Sequence, residues 1–269
     1  MTMTDSRPSW PSIPELRAVT QPPAIRGRAT AEHWTGDLYM RRFSPYLTRL
    51  LLRAGLSANA VTVLMIISGA ASGFALLVPG FWGPLLAVAF TQLQMLWDAC
   101  DGEVARWRRT SSPLGIFLDK VGHYLTESLL PLGLGIRAAG GPEGLSTAGG
   151  WVTLGALLAL VVVLNKGLND MVHAARAVAG LPRMPEDEQT TAPRISLLAR
   201  VRRFARFVPF HRLYHSIEIS LIILAAAVVD AVLGDLGGTR ALLAFLVPAA
   251  LLSLAGHFLA IVNSSRLRA

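Results

Sequence analysis

Apolar residues gather in six stretches, each close to the roughly 20 helical residues that cross a bilayer about 30 Å thick. They cover residues 57–78, 84–105, 112–137, 150–172, 210–233 and 240–263. Pro79–Gly80, the Gly140–Pro142 run and 234–238 between them have the composition of tight loops. Two flanking pieces, 38–53 and 194–207, instead alternate apolar and basic residues at helical spacing. Such helices lie in the headgroup layer, where they anchor topology and can capture an anionic lipid or phosphate. The first 35 residues are proline-rich and polar, with no apolar core, and are expected to form a disordered cytosolic tail. The pattern therefore predicts an all-α membrane protein: six transmembrane helices, an N-terminal amphipathic interfacial helix, and a single membrane domain over residues 36–269.

Composition sharpens this picture. Of 269 residues, 52% are hydrophobic and 16% charged, against about 25% charge in a typical soluble domain. The net charge of +8 belongs to the flanks of the apolar spans, so nucleic acid is not expected as a partner. With both termini inside, the inner segments collect Arg41, Arg42, Arg49 and Arg53, then Arg106, Arg108 and Arg109. The run from Arg176 to Arg212 and the Arg266–Arg268 end fall on the same side, while Arg137 and Arg240 fall outside. That asymmetry is what the positive-inside rule requires. Cys100 is the single cysteine, so no internal disulfide can form.

Acids in the middle of this greasy chain need an explanation. Asp98 and Asp101 are three apart on the second stretch, neighbours on one helix surface. Asp119, His123 and Glu127 are spaced by four on the third, which gives them one face, with Gly115 on the same side. A polar turn at 108–112 joins the two helices, so the acidic pairs can face each other. Such groups are often merely solvated at the membrane surface, and Arg106 could neutralise one of them. Set deeper and unpaired, each aspartate would cost about 2.5–3.5 kcal/mol on the insertion scale. A divalent ion, Mg2+ or Mn2+, removes that cost and suits oxygen ligands. Gly102 and Ala105 leave a slot beside the acids for a bulky ligand.

These residues resemble a known signature. From Asp98 to His123 the chain reads D-x2-D-G-x2-A-R-x8-G-x3-D-x3-H. The CDP-alcohol phosphotransferase family carries D-x2-D-G-x2-A-R-x8-G-x3-D-x3-D, so every fixed position but the last is present. "LSANAVT", at 56–62, also resembles the family's T-P-N-x-x-T approach to its first span, with Asn59 and Thr62 kept and Ala58 in place of proline. The resemblance covers most of the chain from about Arg41 onward. It implies six spans and a transferase in the cell membrane, its active site facing the cytosol. The donor would be a CDP-linked lipid such as CDP-diacylglycerol, and the acceptor a small alcohol or sugar phosphate. It further implies that Asp98, Asp101 and Asp119 hold divalent metal. Gly102, Ala105 and Arg106 would lie against the cytidine and its phosphates, helped by Thr62, Ser112 and Gly115. Homodimers are common in the family.

His123 departs from the pattern. Imidazole is a poor magnesium ligand and a better one for manganese, and with an ordinary pKa near 6.5 it is a competent general base. His123 is therefore expected to accept the acceptor's proton, with Glu127 as a candidate replacement for the missing carboxylate. The competing reading is a catalytically inactive relative that binds lipid or acts as a scaffold. A transporter would instead show midplane acids and internal repeats, which the sequence lacks. Asn165, Lys166, Asn169, Asp170 and His173 make one side of the fourth stretch polar. That side is either a Lys166–Asp170 pair or the wall of an acceptor pocket. His211 and His215 are headgroup-level residues in the simplest reading.

Overall fold

The computed structural model describes residues 7–22, 36–182 and 213–267. Among these residues there is no strand and there are eight α-helices. They are α1 (Ile13–Thr20), α2 (Arg41–Arg53, entered through a π-helical turn at Gly36–Met40), α3 (Ala58–Ala75), α4 (Trp82–Arg108), α5 (Pro113–Ala138), α6 (Gly149–Val178), α7 (Ser216–Leu233) and α8 (Gly237–Val262). Four of them, α3, α6, α7 and α8, are long and apolar enough to cross a membrane. The other two long helices, α4 and α5, carry the acids, amides and arginines of the central stretch and are correspondingly less apolar. The fifth expected stretch starts at 210, but α7 begins only at Ser216, after extended backbone at His215. The basic piece at 194–207, and His211, lie outside the described residues.

The chain divides into two compact units, one of residues 1–69 and 92–123, the other of 70–91 and 124–269. In the first unit, Leu16, Leu51, Leu52, Val61, Cys100, Val104 and Trp107 form the core. Helix α1 lies within the tail expected to be disordered. Ser12 caps it by accepting the Glu15 amide at 3.3 Å, and Leu16 is fully buried in that core. One apolar anchor plus polar contacts to its neighbours holds this helix in place. Helix α2 buries two hydroxyl side chains beside Leu51 and Leu52. Ser44 and Thr48 are buried, while Phe43, Tyr46 and Leu50 are exposed.

The polar inner face of α2 has a partner in Glu103 of α4, which is fully buried. Its carboxylate accepts Ser44 Oγ at 2.6 Å, Thr48 Oγ1 at 2.7 Å and Gln21 Nε2 at 2.8 Å. Helix α4 ends at Arg109, whose left-handed φ of 54° lets the Thr110 amide reach back to the Ala105 carbonyl at 3.0 Å. Ser112 then caps α5, accepting the Gly115 amide at 3.1 Å, with Pro113 as the first helical residue.

In the second unit the core runs from Ala75 and Leu76 through Leu130, Leu134, Leu158, Ile223 and Leu246. Close helix approach depends on Gly135 and Gly155. A Cβ on Gly135 would stand 2.8 Å from the Gly155 Cα, which is the small-residue packing used between membrane helices. Arg137 is buried with Asp230 at 3.4 Å, and its Nη1 also donates to the Gly80 carbonyl at 2.8 Å.

Candidate active site

Within the first unit, α4 contributes Asp98 and Asp101, and α5 contributes Asp119 and His123. A Cβ on Gly122 would lie 2.1 Å from Met65 Cε, so any larger residue there would push that side chain of α3 aside. The imidazole of His123 stands between two of the acids. Its Nε2 is 3.3 Å from Asp98 Oδ1 and 3.5 Å from Asp119 Oδ1. One donor atom from each of Asp98, Asp119 and His123 lies within 4.8 Å of the others. All three are partly exposed, between 23% and 41%, so an ion or a solute can reach them.

The donor set fits a divalent ion. Ligands sharing one ion at about 2.1 Å lie roughly 3.0 Å apart when adjacent and 4.2 Å apart when opposite. The two histidine contacts are already near the shorter separation. Two carboxylate oxygens with one ring nitrogen suit Mn2+ better than Mg2+. Asp101 lies outside that trio of donors. Its Oδ2 accepts the Thr62 hydroxyl at 2.7 Å, so Thr62 orients an acid.

Several candidate residues have partners that periodicity did not anticipate. Ser112 spends its oxygen on capping α5. Gly115 has Asn59 Oδ1 and Ser112 Oγ at 3.2 and 3.5 Å from the place of a Cβ, so a side chain there would crowd both. The slot expected at Gly102 is lined by the chain itself, because a Cβ there would meet Arg106 Nη1 at 2.9 Å and Nη2 at 3.2 Å. Arg106 Nε donates to the Thr20 carbonyl at 2.7 Å. Ala105 serves the helix end through its carbonyl.

In the second unit, Glu127 is engaged elsewhere than as a stand-in ligand. Lys166 Nζ donates to its Oε1 at 2.7 Å, and Glu127 is nearly fully buried. Lys166 thus pairs with Glu127, while Asp170 accepts the Tyr124 hydroxyl at 3.0 Å. Asn165 Oδ1 meets His257 Nδ1 at 2.9 Å. The polar side of α6 is therefore spent on several different partners.

Glu103 is the residue that sequence reasoning passed over. It sits inside the signature at a variable position, and its signal was the Ser44–Thr48 pair, four apart on α2.

No curated protein matches the chain. Residues 56–177, the stretch that holds the whole acidic cluster, match the family model of the CDP-alcohol phosphatidyltransferases.

Proposed function

We propose that the protein transfers a phosphatidyl group from CDP-diacylglycerol to the hydroxyl of a small alcohol or sugar phosphate, with release of CMP. The domain would span the cell membrane six times, with α4 and α5 among the spans, α2 in the headgroup layer and the site toward the cytosol. The exposed Phe43, Tyr46 and Leu50 of α2 and the arginine asymmetry support that placement. The observation that carries the chemistry is the convergence of Asp98, Asp119 and His123 inside the family-matched stretch.

Asp98, Asp101 and Asp119 would hold the divalent ion, which supplies neutralising charge for the donor's pyrophosphate. The chain's own groups do the rest. Thr62 keeps one Asp101 oxygen turned in a fixed direction. Arg106 meets phosphate charge with a guanidinium fork. With Nε2–H of His123 donated to Asp98, its Nδ1 carries the lone pair and accepts the proton of the attacking hydroxyl. The new bond forms between that oxygen and the phosphorus carrying the diacylglycerol. The bond from this phosphorus to the bridging oxygen breaks, and CMP leaves with that oxygen.

A second reading rests on the same contact. A protonated imidazole reaching Asp98 and Asp119 together offsets one of their two charges with no metal ion, as suits a lipid-binding or scaffold relative that has lost catalysis. Purified protein given CDP-diacylglycerol, Mn2+ or Mg2+ and a panel of acceptors distinguishes the two. The transferase reading expects CMP release that falls at least about 100-fold in Asp98→Asn and Asp119→Asn. Release unaffected by both substitutions, or none with any acceptor, would sink it.

A further inference from the structure

A segment outside the family-matched stretch reaches into it. The match begins at residue 56, yet residues 7–22 close over the end of α4. Arg7 Nη1 donates to the carbonyls of Arg106 and Trp107 at 3.2 and 3.0 Å. Trp107 Nε1 returns a bond to the Pro8 carbonyl at 3.0 Å. The Trp10 ring lies under the guanidinium groups of Arg49 and Arg53, at 3.7 and 4.9 Å. Leu16 is fully buried, and Gln21 Nε2 bridges the Arg41 carbonyl and the Glu103 carboxylate at 3.0 and 2.8 Å.

These anchors fix one carbonyl in particular. Thr20 is the last residue of α1 and fully buried, and its carbonyl receives Arg106 Nε at 2.7 Å. A guanidinium is planar, so a bond at Nε sets the direction of the whole fork. Here the Nη edge is laid over Gly102, in the space where any other residue would put its Cβ. Arg106 and Gly102 are both fixed positions of the signature, one helical turn apart, and the strap bears on how they meet. Capping the end of α4 would need only the Arg7 contacts. The Thr20 bond goes further and orients a side chain of the site.

We propose that residues 7–22 form a strap that sets nucleotide affinity by orienting the Arg106 guanidinium through the Thr20 carbonyl. This rests on the reading of Arg106 as a contact for nucleotide phosphate. Thr20 and the residues that anchor it are positioning residues, acting on the donor through Arg106 alone. Loosening the strap therefore weakens nucleotide binding and raises KM for the CDP-linked donor, while kcat at saturating donor is kept.

The test is a double-mutant cycle on the full chain, with CMP as the probe in the presence of Mn2+. Leu16→Asp releases the strap, and faster tryptic cleavage after Arg17 reports that release. Gln21→Ala loosens it more gently should the first variant not fold. The loss of one charge-assisted orienting bond corresponds to about a tenfold weaker CMP affinity. In an Arg106→Ala background the same strap variant should change affinity less than about twofold, since coupled groups are non-additive. Equal weakening in both backgrounds, or unchanged affinity with the strap demonstrably released, overturns the proposal. Failure of the underlying transferase reading looks different: the intact chain would not bind CMP, or Arg106→Ala would bind it as well as the wild type.

Discussion

Substituting a ring nitrogen for a carboxylate changes what a cluster of acids can do. A fourth aspartate would add negative charge and a hard oxygen. His123 adds neither, and its Nε2 stands 3.3 Å from Asp98 Oδ1. His123→Ala should therefore cut turnover by about 10²–10⁴-fold, the usual worth of a positioned proton acceptor. His123→Asp should restore part of the rate and move the metal preference from Mn2+ toward Mg2+. CMP release measured against each ion checks both, and a His123→Asp variant with unchanged ion preference would remove His123 from the cluster's chemistry. At this scale the sequence was generous, because gaps of three and four residues are statements about helix faces. The fold of Arg106 over Gly102 was illegible, since a rotamer choice leaves no mark in residue spacing.

Helices α2 and α4 are joined by polar contacts turned inward, an arrangement that a hydrophobic pattern cannot reveal. Glu103 receives three side-chain donors in a fully buried position. Glu103→Ala leaves buried donors without their acceptor, and each such loss is worth about 1–3 kcal/mol. Thermal unfolding in detergent should show Glu103→Ala clearly destabilised and Glu103→Gln less so, because the amide keeps one accepting oxygen. Equal stability of wild type and Glu103→Ala would mean that the contact is incidental. The same burial explains why α2 presents Phe43, Tyr46 and Leu50 outward. Its basic residues place it in the headgroup layer by sequence, while Ser44 and Thr48 serve the interior. Helix α1 escaped notice for a related reason. Eight residues with a single fully buried apolar side chain give no periodicity to detect.

Over the molecule as a whole, helix positions were legible because apolar length is a coarse and robust signal. Six long helices stand close to the six expected stretches, and the four most apolar are long and greasy enough to span by composition alone. The two that fall short, α4 and α5, carry the chemistry: a helix that holds three acids, two arginines and two glutamines cannot also be uniformly apolar. Placing those acids beside the bilayer is tolerable only if something neutralises them. The most direct measurement is Mn2+ titration of the purified full-length protein, followed by its electron paramagnetic resonance. Saturable binding that is lost in Asp98→Asn and Asp119→Asn but kept in His123→Ala is the predicted result. No saturable uptake, or uptake indifferent to both aspartate substitutions, would contradict the claim that these helices grip a cation for phosphoalcohol transfer.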